Sequence, residues 1–124
     1  MRVFKLGTKW GADAPDYMEL LKKGIAPAKR EASVGDILAI APGGGFHLTA
    51  IAEIQEVLDE RSNPEAFAAA KEYWIAPPAL EKLVRIRWLG QLNPPIEYKM
   101  QGGICEIANP EVKHKILAEV KKTA

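Results

Sequence analysis

The chain has a single cysteine, Cys105, among 124 residues. One thiol forms no internal disulfide, and without many other ligands it builds no metal site. Cys105 is read as a small core residue. Neither sign of charge is in excess: seventeen Lys and Arg stand against sixteen Asp and Glu, a net charge of +1. Net charge therefore offers no argument for nucleic acid. Long hydrophobic runs are absent too. The longest apolar stretch, Ile37 to Pro42, falls far short of the ~20 residues a spanning helix needs. The N-terminus goes straight into a strand, with no signal-peptide pattern. A cytoplasmic protein without membrane contact is expected. The two histidines, His47 and His114, are isolated, and no nucleophile elbow or metal-ligand spacing is present. No catalytic residue, metal or cofactor is assigned.

The composition, 48% apolar and 27% charged, is that of an ordinary globular domain. A chain of this length forms one domain, residues 1–124, and buries roughly two-thirds of its unfolded surface. Its charges are unevenly placed. Residues 1–35 carry seven cations against four acids, whereas 53–65 hold Glu53, Glu56, Asp59, Glu60 and Glu65 against Arg61 alone.

Val3, Phe4 and Leu6 lie in a first strand, about Arg2 to Leu6, which ends in "GTKWG". Pro15 opens a short helix that Gly24 closes, with Tyr17, Leu20 and Leu21 on its packing face. Two strands, Ile37–Ala41 and His47–Val57, joined through Pro42 and three glycines, give the strongest hairpin signal. Asn63-Pro64 caps a helix to Lys71. "EYWIAPP" holds a brief extended piece. "LVRIRWL" alternates Val84, Ile86 and Trp88 with Arg85 and Arg87, which assigns Trp88 to the core. "NPP" then breaks the chain, "IEYKM" and "GICEI" read as short strands, and Asn109-Pro110 caps a last helix packing through Val112, Ile116, Leu117 and Val120. About six strands with peripheral helices predict an α+β domain built on a small, mostly antiparallel β-barrel.

The order of these phrases resembles the PUA-like superfamily and, within it, the EVE group, relatives of the YTH readers of methylated RNA. The likeness rests on a first strand ending in a hydroxyl residue, Thr8, on "VGDILAIA", "LTAIAEI", an aromatic ahead of "VRIRWL", and "GGICEIANPEV" entering a helix. EVE domains carry Lys-Ser where this chain has Gly7-Thr8, so the hydroxyl carries over and the lysine does not. The resemblance implies a non-enzymatic module binding a base, modified or not, of single-stranded or locally opened RNA or DNA.

On that resemblance Thr8, Trp10, Phe46 and Trp74 form the base pocket, with Thr8 bonding the base edge. Trp10 is either a stacking wall or a hydrophobic lid over the barrel end. Lys9, the Gly44 backbone, Arg85 and Arg87 are the phosphate contacts; glycine-rich turns admit anions because no side chain blocks approach. Two other readings follow. In an ASCH-like enzyme on a nucleoside-like substrate, Lys9 would converge with Glu53 or Asp36. In an interaction scaffold, the acidic Glu53–Glu65 surface would be the contact.

Overall fold

The computed structural model describes residues 1–9, 13–43, 45–73, 82–99 and 103–123. Among these residues six strands and three helices follow in the order β1 (Val3–Gly7), α1 (Met18–Lys22), β2 (Ile25–Ala28), β3 (Ile37–Ala41), β4 (His47–Val57), α2 (Pro64–Lys71), β5 (Lys82–Glu97), β6 (Ile104–Glu106) and α3 (Pro110–Thr123). The strands form one sheet in the order β2-β5-β4-β3-β1-β6. Only β1 and β3 run parallel; the other neighbouring pairs are antiparallel. The result is a half-barrel, α+β and mostly antiparallel.

At β1 and β3 both faces of this sheet are covered, which is why β3 reads as an unbroken apolar run and β1 is buried along its whole length, Lys5 included. Phe4, Leu6, Leu38, Ile40 and Ile54 pack on the side of α1 and α2. Val3, Ile37, Ala39, Leu48 and Ile51 pack against Ile116 of α3. The expected α3 stripe is in place, with Val112, Leu117 and Val120 at its border. Asn109 caps that helix, its Oδ1 accepting the Glu111 and Val112 N–H groups at 3.0 and 3.1 Å. Among the described residues no helix is long and apolar enough to cross a membrane.

Several sequence expectations are corrected. The helix opened by Pro15 is only five residues long, because Tyr17 N–H donates to the Thr8 carbonyl at 2.8 Å and holds the preceding segment against β1. Asn63 precedes α2 as expected, but its side chain donates back to the Asp59 carbonyl at 3.1 Å and does not cap the helix. β2 is an element that the sequence pattern does not announce. Its Ile-Ala-Pro-Ala sequence contains a proline, which an edge strand tolerates, and β2 pairs only with β5 among the described residues.

"NPP" does not end a strand. β5 continues through Asn93, Pro94 and Pro95, so the "LVRIRWL" strand and the start of "IEYKM" are one element of 16 residues, while "GICEI" supplies the separate β6. The register explains how: Gln91 pairs with Ala50 and Ile96 with Leu48, so residues 92–95 bulge opposite Thr49. In the bulge the prolines' missing N–H groups leave no ladder position unfilled. The "EYWIAPP" piece lies largely outside the described residues.

Candidate nucleic-acid interface

β1 ends where three segments meet. Thr8 is fully buried, and its N–H donates to the Ala41 carbonyl at 3.2 Å. Its hydroxyl accepts the Gly43 N–H at 2.7 Å, tying the β3–β4 loop to β1. Gly43 has φ +62, a left-handed conformation that favours glycine. The Tyr17 hydroxyl donates to the Gly7 carbonyl, and the Gly7 N–H donates to Gly103 O at 2.7 Å. A hydroxyl that accepts one bond still has its own proton to give. Thr8 is thus a rigidly held polar group at the rim of the sheet. Lys9, the next residue, is exposed.

Phe46 lies at the same end of the sheet but on the α3 side. Its ring covers the Lys5 ammonium at 5.7 Å, and Lys5 alternates with the inward-packed Phe4 and Leu6. Lys5 is only 3% exposed although Phe46 remains 41% exposed. The sequence gives a signal for this buried cation, a lysine inside "VFKLG", that the reading of β1 as a simple apolar strand overlooks. Cys105 pairs directly with Lys5 across the β1–β6 ladder. It is half-buried, not the core residue expected, because β6 is an edge strand. Burial pushes its thiol pKa up more than Lys5 and Lys29 pull it down. Burial also raises the Tyr98 phenol, with a smaller contribution from Cys105.

Arg85 and Arg87 are not brought to Thr8. Arg87 pairs with Glu53, which pairs with Ile37, which pairs with Val3. That row is the start of β1, four residues or about 13 Å from Gly7. Each guanidinium also meets a carboxylate there, Arg85 with Glu56 and Arg87 with Glu53, both at 3.3 Å. The same rows separate Lys9 from Glu53 and Asp36, so the acid/base convergence of the ASCH-like reading is not assembled. Asp36 instead accepts the N–H groups of Arg2 and Ser33 at 3.0 and 2.9 Å. The acidic 53–65 surface is partly neutralised in place, since Glu60 also pairs with Lys71 at 3.6 Å. Trp10, Gly44 and Trp74 lie outside the described residues. Among the described residues no three His, Cys, Asp or Glu side chains gather as metal ligands.

Trp88 departs from its core assignment. It keeps the inward parity of Ile86, yet is 37% exposed, beside an open hollow that Met18 and Lys22 of α1 also line. Its indole N–H donates to the Leu21 carbonyl at 3.1 Å.

No family model and no curated sequence matches the chain. Solved structures do. Human THYN1, in complex with DNA containing 5-methylcytosine, aligns with a TM-score of 0.56 at 6% identity, covering 96% of this chain and 98% of that one. The chain has the YTH/THYN1 fold. The Pho92 YTH domain, in complex with m6A, aligns with a TM-score of 0.54 at 12% identity over 98% of this chain and 85% of its own. The YTH domain of Zygosaccharomyces rouxii MRB1, in complex with N6-methyladenosine RNA, gives 0.51 at 14% identity, with 97% and 86% covered. The YTH/THYN1 fold agrees with the PUA-like, EVE-like architecture that the order of sequence phrases implies. Identities this low carry the architecture and not the activity.

Proposed function

We propose that the chain is a nucleic-acid-binding module that holds one base, modified or not, at the end of β1, without catalysis. The observation that carries this reading is the buried Thr8 hydroxyl, pinned by the Gly43 N–H and flanked by the Tyr17 anchor, with no acceptor for its own proton among the described residues; this reading gives that proton to a base edge. Such preorganisation is what a recognition site needs, since a group already fixed loses little freedom on binding. The structures that share the fold include complexes with m6A RNA and with 5-methylcytosine DNA, which supports a nucleic-acid ligand.

In this reading Trp10 and Trp74 supply the stacking surfaces, and Lys9 and the Gly44 backbone meet phosphate. Phe46 shields Lys5 at the outer edge of the site. Arg85 and Arg87, paired and at the far end of the sheet, are left out of it. The test is thermal-shift screening against normal and modified nucleosides and short single strands containing them. A ligand that binds only the folded chain raises its melting temperature. A rise with base-containing ligands is expected, and no rise with any strand would overturn the reading.

A further inference from the structure

The unexpected exposure of Trp88 belongs to a hollow of about 570 Å³ between α1, β4 and the bulge of β5, a volume in the range of ligand sites. The ring forms one wall, and its bond to Leu21 fixes its plane. Thr49, Gln91 and Asn93 supply polar side chains, Met18 an apolar flank, and Lys22 the one charged group lining it among the described residues. The bulge opposite Thr49 is what opens this space, by carrying Asn93 out of the ladder.

We propose that this hollow takes a second base of the strand whose first base is held at the end of β1, a proposal that rests on the nucleic-acid reading above. An aromatic face with a fixed plane accepts any base by stacking. The Gln91 and Asn93 amides each donate and accept, and so does the Thr49 hydroxyl, which matches the mixed donor and acceptor edge of a base. Neither amide has a side-chain hydrogen bond among the described residues, so both are available without loss elsewhere. A wholly apolar occupant would strip these groups of water and return no hydrogen bonds. Among the described residues Lys22 is tied only to Glu19, in a pair exposed on both sides at 3.1 Å, and such pairs are weak enough for a phosphate to displace.

The position fits one strand. Gln91 pairs with Ala50, Ala50 with Ile40, and Ile40 with Leu6, so the hollow lies three strand spacings across and two residues back from Thr8. Along the sheet surface that is about 16 Å, a span that an oligonucleotide bridges and a lone nucleoside does not.

The test is fluorescence anisotropy of labelled eight-nucleotide RNA and DNA strands, unmodified or carrying one central N6-methyladenosine or 5-methylcytosine. Binding is measured to the natural chain and to Trp88→Ala, Gln91→Ala and Thr8→Ala. Trp88→Ala is expected to weaken strand binding about ten- to a hundredfold while leaving the affinity of the corresponding mononucleoside unchanged. Gln91→Ala, at an exposed position, changes the preference among flanking bases without changing melting temperature, and serves where Trp88→Ala fails to fold. Strand binding that Thr8→Ala weakens but Trp88→Ala and Gln91→Ala leave intact overturns the second site alone. No strand binding by the natural chain overturns the nucleic-acid reading and this proposal with it.

Discussion

The Thr8 hydroxyl accepts the Gly43 N–H at 2.7 Å, across 35 residues of sequence, and so fixes the β3–β4 loop to the end of β1. Removing the hydroxyl leaves a partly buried donor without its partner. Thr8→Val should cost about 1 kcal/mol of stability in denaturant unfolding, and Thr8→Ser should restore most of it. Equal stability of the Val and Ser variants would mean that the bond contributes nothing.

The Lys5 ammonium lies beneath the Phe46 ring, a cation–π contact shielded from water. A double-mutant cycle with Phe46→Leu and Lys5→Met should give a coupling of about 0.5 to 2 kcal/mol. Additive losses would contradict a direct interaction.

At the other end of β1, Gly35 has φ +93 and Asp36 holds the turn that starts β3. Gly35→Ala meets no steric obstacle, so its cost is backbone strain alone, about 1 kcal/mol. Asp36→Ala should cost about 1 to 3 kcal/mol, because two backbone N–H groups lose their acceptor. Urea midpoints for the two variants check both figures.

The thiol of Cys105 is held above its ordinary pKa by burial. Above the ordinary thiol value the unfolded chain has lost a proton that the folded chain retains, so unfolding releases it and stability falls as pH rises. The raised Tyr98 phenol extends the fall to higher pH. Melting temperature should decline from about pH 8.5 upward, with a shallower slope in Cys105→Ala. An unchanged slope would contradict the assignment. Alkylation at neutral pH should be slow in the folded chain and fast in denaturant.

Much of the fold is legible because local chemistry and packing agree. The β3–β4 hairpin and α3 follow from Pro42 with its glycines and from Asn109-Pro110 with its apolar stripe. What escapes is set by tertiary contacts. β2 exists only because β5 offers Ile25–Ala28 a partner, and β5 survives Pro94 and Pro95 only because a bulge opposite Thr49 absorbs them. The candidate site is less legible still. Period-two alternation places Trp88 on the correct face but says nothing of the open hollow beside it. The pairing of Arg85 and Arg87 with Glu56 and Glu53 depends on register, which the sequence of β5 alone does not reveal.

If Trp10 is a stacking wall, Trp10→Ala should weaken base-containing ligands by roughly 1 to 3 kcal/mol and leave melting temperature nearly unchanged. If it is a lid, the same change should cost roughly 3 to 5 kcal/mol of folding stability. Lys9→Ala should weaken all strands alike and flatten the salt dependence by about one counterion.

The central claim is that a base is held at the end of β1, and amide NMR of the labelled chain tests it most directly. On adding short single strands with and without a modified base, the account predicts the largest shifts at Thr8, Lys9 and Gly43, where the three segments meet. Shifts confined to Arg85, Arg87 and their carboxylate partners, with Thr8 and Gly43 unmoved at saturation, would contradict it.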